Sequence, residues 1–281
     1  MSNGTDVSDP DLLVCIVECG PVAWVDAERA HPSVSLARTL HDLAVFLNAF
    51  RALQASNRLV VIASHPVRND VLFSDLAPTN VEPAMAHSIL DRIRSLPTTG
   101  LSEAASLLSG AMSLAMCIVR RLQADQRNLH ARLLVVHTGR DAPAQYTSTM
   151  NCIFSAQKLT VPVDAVVLGA SDSLLMQQAS HLTGGVYNRV GDPGADLLAV
   201  LFTLFLPGAF DRTVLAMPHQ SQIDYRATCF CHRTVQNTGY TCPVCLSVFC
   251  KPELSCPTCR TRFPRMPRRA RAPFASTPAP S

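Results

Sequence analysis

The spacing of the cysteines is the feature that most restricts what this chain can fold into. Seven of the eleven cysteines lie within residues 229–259. Two Cys-x2-Cys pairs in this segment, Cys242 with Cys245 and Cys256 with Cys259, are separated by ten residues. Thiolate sulfur is a preferred zinc ligand, and four thiolates complete a tetrahedral site. The pattern therefore predicts a closed, structural zinc site in which no position is open for a reacting water molecule.

Three further cysteines and a histidine interleave with these pairs, namely Cys229, Cys231, His232 and Cys250. This order is typical of a cross-braced module with two zinc ions, as in RING domains. However, Cys229 and Cys231 are spaced more tightly than usual, and Cys250 has no second ligand residue two or three positions on. Two interpretations stay open: a second zinc ion, or one ion with the remaining thiols packed as small apolar groups.

The first two hundred residues alternate between short apolar runs and segments with helical periodicity. The apolar runs predict strands at residues 12–17, 58–64, 71–76, 131–137, 161–169 and 186–190. The periodic segments predict helices at residues 33–56, 84–96, 102–124, 144–159, 172–182 and 195–206. This alternation is typical of α/β proteins with a mostly parallel, doubly wound sheet and helices on both faces.

Composition along the chain predicts how it divides into domains. We expect a disordered N-terminus (1–10), an α/β domain (11–208), a linker (209–228), a Cys-rich module (229–263) and a disordered tail (264–281) rich in Arg and Pro. The net charge is +3, although six arginines and no acids lie in residues 260–281. These arginines predict a nuclear localisation signal, a weak and salt-dependent nucleic-acid contact, or a solubilising end.

Signals for membranes and for catalysis are weak. No basic segment precedes the first apolar run and no run is long enough to span a bilayer, so we expect a soluble, intracellular protein with no membrane partner.

Cys15 and Cys19 are interpreted as core thiols. His137, near Asp141, has no evident nucleophile beside it, so we expect a polar contact rather than a catalytic base. Trp24 is either an exposed anchor for a partner or partly buried. We therefore expect no enzymatic activity.

Several motifs resemble one known family. The stretches "DYRATCFCH", "GYTCPVCLSVFC" and "CPTC" occur in the same order at the C-terminus of the smaller von Willebrand-A subunit of the transcription and repair factor TFIIH, the Tfb4-type family. Residues 145–159 and 164–187 are similar to its last helices and strands, and the resemblance spans residues 11–263. It implies a von Willebrand-A domain and a zinc module. It also implies a nuclear protein that pairs with the other von Willebrand-A/zinc subunit and, through it, supports the TFIIH helicases.

Many von Willebrand-A domains bind Mg²⁺ through Asp-x-Ser-x-Ser after the first strand, with a Thr and an Asp from later loops. In this chain Glu18 begins the motif, Gly20 and Val22 replace the two serines, and Thr138 stands where the later Asp would be. Mg²⁺ requires an octahedral set of oxygen ligands. We therefore expect no Mg²⁺ at Glu18 and Thr138, and expect this loop cluster to act as a protein-contact surface.

The leading hypothesis is a non-catalytic scaffold subunit of the TFIIH core, acting in transcription initiation and nucleotide excision repair. One alternative is a RING-type ubiquitin ligase, which requires two complete zinc sites and an exposed apolar groove. Another is a zinc-finger protein that binds nucleic acid. Such a protein would need a basic helix in the module, whereas Arg233 and Lys251 are the only Arg or Lys residues within 229–259.

Overall fold

The computed structural model describes residues 10–32, 34–76, 85–97, 105–126, 128–139, 141–142, 145–169, 171–190, 196–217, 226, 229, 231–232 and 236–263. The predicted disorder of residues 1–9, most of the predicted linker and the arginine-rich tail from residue 264 lie outside these ranges. The chain separates into two compact units, residues 1–225 and 226–281. The domain boundaries given above stay predictions.

The first unit contains six strands and eight helices among its described residues. The strands are β1 (Asp11–Glu18), β2 (Arg58–Ser64), β3 (Asn69–Ser74), β4 (His130–His137), β5 (Val163–Val167) and β6 (Tyr187–Arg189). The helices are α1 (Pro21–Ala30), α2 (Leu36–Leu53), α3 (Met85–Arg94), α4 (Leu108–Asp125), α5 (Tyr146–Lys158), α6 (Leu174–Thr183), α7 (Leu197–Val200, continued by a π-helical turn, Leu201–Phe205) and α8 (Asp211–Val214). Across the described residues, no helix combines the length and the apolar character needed to span a bilayer.

The strands form one sheet in the order β3-β2-β1-β4-β5-β6. All neighbours are parallel except β3, which runs antiparallel to β2 at one edge. The doubly wound α/β class predicted from the sequence is confirmed. Because the chain winds outward from β1 through β2 and then returns to β4 on its other side, the topology switches at the carboxyl ends of β1 and β4. In open sheets of this kind, ligand sites lie at such switch points.

Side chains that alternate along β1 are buried on opposite faces of the sheet. Leu13 packs in a cluster with Phe46 of α2 and Phe205 of the π-helical turn. Val14 packs in a second cluster that includes Met112 of α4. Residues 12–19 are all buried, including both thiols of this segment, so the interpretation of Cys15 and Cys19 as core residues is confirmed.

Helix α1 was not predicted from the sequence. It begins at Pro21, a residue well suited to the first turn because its backbone nitrogen needs no hydrogen-bond partner there. Trp24 is buried on this helix, and its indole Nε1 donates a hydrogen bond of 2.8 Å to the carbonyl oxygen of Glu18. Of the two interpretations left open for Trp24, the structure therefore favours burial over an exposed anchor for a partner.

A buried ionic cluster connects the end of the first unit to the amino-terminal ends of β4 and β5. Arg212 of α8 donates two hydrogen bonds to Asp164 of β5, at 2.8 and 2.6 Å. Arg132 of β4 lies 3.8 Å from the same carboxylate and donates to the carbonyl oxygens of Phe205 and Pro207. The first residues of the predicted linker therefore belong structurally to the α/β unit, because α8 supplies one of its buried ion pairs.

The described part of the second unit is small. Its two short strands, β7 (Tyr240–Thr241) and β8 (Val248–Phe249), pair antiparallel. Phe249 is buried with Cys242 and Cys256, and Phe263 packs against this cluster. Since so few apolar side chains are buried here, the fold of this unit depends on its polar and sulfur groups.

Candidate metal centres

The four cysteines of the two Cys-x2-Cys pairs come together in the structure. The Sγ atoms of Cys242 and Cys259 lie 3.6 Å apart, and those of Cys245 and Cys256 lie 3.5 Å apart. All four sulfur atoms are within 4.8 Å of one another. Thiolates around a tetrahedral zinc ion, with Zn–S bonds of about 2.3 Å, lie about 3.8 Å apart. The donor set therefore fits a four-coordinate zinc ion.

Each Cys-x2-Cys pair lies on the same type of turn. The backbone N–H of Leu246 donates to the carbonyl of Cys242 at 3.0 Å, and that of Arg260 donates to the carbonyl of Cys256 at 2.8 Å. Leu246 and Arg260 occupy the left-handed region, with φ of 60° and 61°. This conformation costs a residue other than glycine about 1–2 kcal/mol. A strained residue at the same position, directly after the second cysteine, thus closes each turn. The two turns direct both pairs of thiols toward one point.

Two hydroxyl side chains support the second cysteine of each pair. Ser247 Oγ lies 3.1 Å from Cys245 Sγ, and Thr261 Oγ1 lies 3.1 Å from Cys259 Sγ. Hydrogen bonding by these residues lowers the pKa of Cys245 and lowers that of Cys259 to about 6. Zinc binds the thiolate form. Sequence reasoning missed both residues, although the signal was present: a hydroxyl residue follows each pair at the same offset.

The second set of predicted ligands also converges. Cys231 Sγ lies 3.3 Å and His232 Nδ1 lies 3.1 Å from Cys250 Sγ. One ligand atom from each of Cys229, Cys231, His232 and Cys250 lies within 4.8 Å of the others. Cys250 directly follows β8, whereas the other three come from the start of the module. Cys229 is buried, but Cys231 and His232 are exposed.

The carboxyl ends of β1 and β4, with the loop after β4, form what we call the strand-end site. Protein groups surround the carboxylates of this site. Glu18 ends β1, and its Oε2 accepts hydrogen bonds from the backbone N–H groups of Thr138 (2.8 Å) and Gly139 (2.9 Å). His137 ends β4, and its Nδ1 lies 3.0 Å from the same oxygen. The other ring nitrogen lies 3.8 Å from Asp141. The structure thus brings Glu18 and Thr138 together, and His137 makes the polar contact that was expected of it, although sequence reasoning did not pair it with Glu18.

The charges of this site stabilise one another. Burial alone lowers the pKa of His137, but the Glu18 and Asp141 carboxylates outweigh it and raise that pKa above its usual 6.5. Burial alone raises the pKa of Glu18, but His137 and the two backbone N–H groups lower it to about 2. Near pH 6 the pair is therefore an imidazolium and a carboxylate. This arrangement places a positive charge beside Glu18, at the carboxyl ends of β1 and β4.

The Glu18→Gln variant is expected to lose most stability, relative to wild type, between about pH 4.5 and 6.5. The raised pKa of His137 stabilises the fold fully below 6.5, and this contribution disappears as the pH rises through the folded-state value. The lowered pKa of Glu18 stabilises above 4.5, and this contribution disappears as the pH falls toward 2. Urea unfolding of both proteins from pH 3 to 9 measures the difference. A difference that is the same at every pH would contradict the ion-pair assignment.

Comparison with known proteins agrees with these features. The family model described as "Transcription factor Tfb4" matches residues 10–88 and 78–260. Subunit tfb4 of general transcription and DNA repair factor IIH from Schizosaccharomyces pombe is 34% identical over 92% of this chain and 91% of its own. The corresponding TFB4 subunit from Arabidopsis thaliana is 32% identical over 91% of this chain and 89% of its own.

A solved structure shows the same architecture for the first unit. The crystal structure of the TFIIH p34 N-terminal domain has a TM-score of 0.60 and 27% sequence identity, and covers 70% of this chain and 98% of its own. The von Willebrand-A-like class implied by the sequence resemblance is confirmed, as is the resemblance itself. The family model matches most of this chain, and the cysteines of the C-terminal segment gather in two clusters. The chain therefore belongs to the Tfb4 family of transcription factors.

Proposed function

We propose that this protein is a non-catalytic scaffold subunit of the TFIIH core, acting in the nucleus in transcription initiation by RNA polymerase II and in nucleotide excision repair. The relatives from S. pombe and A. thaliana, which are named as subunits of general transcription and DNA repair factor IIH, support this assignment. They are similar over almost the full length of both chains, so the proposal concerns the whole protein.

One observation carries the non-catalytic part of the proposal: the carboxylates of Glu18 and Asp141 at the strand ends are already engaged by protein groups. Glu18 Oε2 accepts two backbone hydrogen bonds and contacts His137. Asp141 accepts a hydrogen bond from Ser173 and one from the backbone N–H of Leu175. A metal ion or substrate would have to displace these partners. The fold therefore acts through the surface that it presents rather than through a reaction at this site.

We further propose that Cys242, Cys245, Cys256 and Cys259 hold a zinc ion with a structural role. Four thiolates leave no coordination position for water, and the module buries too few apolar side chains to fold without a metal. The partner of this protein is the other von Willebrand-A/zinc subunit of TFIIH, through which the protein supports the helicase subunits. The scaffold acts by burying protein surface in its contacts with the partner subunit.

Affinity purification of the protein from its own cells, with a tag added at the endogenous locus, tests the function. The expected result is co-purification of the other von Willebrand-A/zinc subunit and the helicase subunits, with the Cys242→Ser variant recovering them less well. Recovery of the wild-type protein alone, at a salt concentration that preserves TFIIH, would contradict the scaffold proposal.

Binding to the partner subunit is expected to be independent of Mg²⁺. Gly20 and Val22 lack the two hydroxyls, and Thr138 lacks the carboxylate, that a Mg²⁺ site would have at these positions, and Glu18 is already paired. Titration of the purified pair, first in metal-free buffer and then with millimolar Mg²⁺, measures this. The Glu18→Gln variant is expected to bind the partner as wild type does. A tenfold gain in affinity on adding Mg²⁺, about 1.4 kcal/mol, would show that Glu18 and its neighbours hold a cation.

A ubiquitin ligase is the second candidate function, because the structure gathers four ligand atoms in each of two interleaved clusters, as a RING requires. Val244, Leu246 and Leu254 are also exposed on this unit. A self-ubiquitination assay with a panel of conjugating enzymes tests this alternative. Ubiquitin transfer that depends on Cys245 would favour it over the scaffold proposal.

A further inference from the structure

The two Cys-x2-Cys turns are copies of one nine-residue pattern. Residues 241–249, which we call the first knuckle, read TCPVCLSVF, and residues 255–263, the second knuckle, read SCPTCRTRF. In each knuckle the backbone N–H of the first cysteine donates to the carbonyl of the hydroxyl residue five positions on, at 2.9 Å in the first and 2.8 Å in the second. The residue before that cysteine pairs antiparallel with the residue seven positions on. Each residue of one knuckle therefore has a structural counterpart in the other.

The counterparts differ in chemistry only at exposed positions. Both knuckles share the cysteines, the proline between them, the hydroxyl residue and the final phenylalanine. By contrast, the exposed Val244 and Leu246 of the first knuckle are replaced by Thr258 and Arg260 in the second. Arg260 has the same left-handed conformation as Leu246, with φ of 61° against 60°, so this turn does not need an apolar side chain to form. The apolar residues of the first knuckle are therefore not explained by its fold.

The second unit exposes more large apolar side chains than it buries. Among residues 236–263, which the structure describes throughout, Phe249 is the only large apolar side chain that is buried. Tyr240, Val244, Leu246 and Leu254 are between 46% and 69% exposed. Single apolar residues scattered over a large surface are ordinary, whereas several on one small unit mark a contact site. Contact with a partner would remove these side chains from water, which the small core of the unit cannot do.

The charge of the same segment indicates the chemistry of that partner. Lys251, Arg260 and Arg262 are exposed, and Glu253 is the only acidic residue within 236–263. Two of these cations belong to the second knuckle, at positions where the first knuckle has apolar residues. Complementary charge steers association and fixes the orientation of a bound partner. A partner that fits this segment therefore carries carboxylates beside its own apolar side chains.

The apolar and the cationic positions lie close to each other. Leu246 directly follows Cys245, Arg260 directly follows Cys259, and the Sγ atoms of these two cysteines lie within 4.8 Å. A segment of about six residues, roughly 20 Å long when extended, is long enough to reach across both knuckles. One short segment can thus contact both kinds of side chain.

We propose that the two knuckles together form a docking surface for a short acidic segment of a partner protein, one that also carries large apolar side chains. Val244 and Leu246 bury the apolar side chains of this segment, and Arg260 and Arg262 pair with its carboxylates. Nucleic acid fits less well, because its phosphates would engage the cations but leave the apolar residues in water. The proposal goes beyond the scaffold function, since it assigns a binding surface whether or not the partner belongs to TFIIH.

Site-specific photo-crosslinking in the protein's own cells tests the surface. The photoreactive residue p-benzoylphenylalanine replaces Leu246 in the tagged full-length chain, and mass spectrometry sequences the peptide that it captures. We expect a peptide with more Asp and Glu than Lys and Arg, and with at least one large apolar residue. Leu53, an exposed leucine of α2, is the matched control position and is expected not to capture that peptide. A basic or uncharged peptide, nucleic acid, the same peptide from both positions or no cross-link would each overturn the proposal.

Exchange of residues between the knuckles then separates binding from folding. A synthetic peptide of the captured sequence is titrated against the purified full-length chain by fluorescence anisotropy. In the double variant Val244→Thr/Leu246→Arg, affinity is expected to fall about tenfold or more, as when central apolar anchors are lost. Arg260→Leu is expected to weaken binding about threefold and to reduce its salt dependence.

Both variants introduce residues that the same turn already carries in the other knuckle, so the fold is expected to survive. Hydrogen exchange around β7 and β8, unchanged from wild type, verifies this for each variant. Val244→Thr alone, which leaves the left-handed residue Leu246 in place, provides a second test of the apolar contact and is expected to weaken binding about threefold. Wild-type affinity in the double variant, in Val244→Thr or in Arg260→Leu would overturn the surface as proposed.

Discussion

The Cys242→Ser variant is expected to lose the fold of residues 229–263 while the α/β unit unfolds as it does in the wild-type chain. Structural zinc contributes on the order of 10 kcal/mol to small zinc-binding peptides. Among the described residues of this unit, Phe249 is the only large apolar side chain that is buried, and the other buried residues are Ser247 and three cysteines, Cys229, Cys242 and Cys256. Apolar burial therefore cannot replace the lost metal. Hydrogen exchange followed by mass spectrometry reports on each segment separately.

Amide protons in peptides around β7 and β8 should exchange at the rate of an unfolded chain, whereas those of β1 and β4 should keep their protection. The Cys117→Ser variant is the control, because it removes a thiol without touching either cluster. Protection of β7 and β8 that survives in Cys242→Ser would mean that the module folds without its metal. Loss of cooperative unfolding in residues 11–208 would show that the division into two units is wrong.

The sheet could be predicted because its signal is local. β1, β4 and β5 are apolar runs whose side chains are buried on both faces, so continuous apolarity marks each strand. Helix α1 could not be recognised in the same way, because only Trp24 and Ala27 of its ten residues are buried. The antiparallel direction of β3 also escaped prediction, since it is set by pairing with β2 rather than by local pattern.

The sites divide along the same line. The first cysteine cluster was predictable because each Cys-x2-Cys pair lies on one local turn. Cys250 was placed in the second set from the interleaved order of the cysteines alone, and it directly follows β8, whose pairing with β7 no local spacing encodes. Similarly, Val17 pairs with Val136 in the parallel register of β1 and β4, which places the next residues, Glu18 and His137, side by side. Contacts that depend on strand register can be predicted only once the pairing of the strands is known.

Asp164→Ala is expected to destabilise the α/β unit by about 3–5 kcal/mol, because removing one member of a buried ion pair leaves uncompensated charge. Asp164 is 0% exposed and receives both hydrogen bonds of the Arg212 guanidinium. The buried Arg132 lies 3.8 Å away, so the variant leaves two guanidinium groups without their carboxylate. Asp164 Oδ1 also accepts the backbone N–H of Val186 at 2.8 Å, and this buried donor loses its partner. Urea unfolding of the full-length chain measures the loss.

The local consequence distinguishes this cluster from a general packing defect. Arg132 holds the carbonyl oxygens of Phe205 and Pro207, and Arg212 holds α8. Hydrogen exchange in residues 205–217 should therefore accelerate more than exchange in β1. Asp26→Ala is the matched control, since its pair with Arg29 is 3.6 Å long and both side chains are more than half exposed; an exposed pair contributes only about 0–1 kcal/mol. Equal losses in Asp164→Ala and Asp26→Ala would show that the buried cluster does not secure the end of this unit.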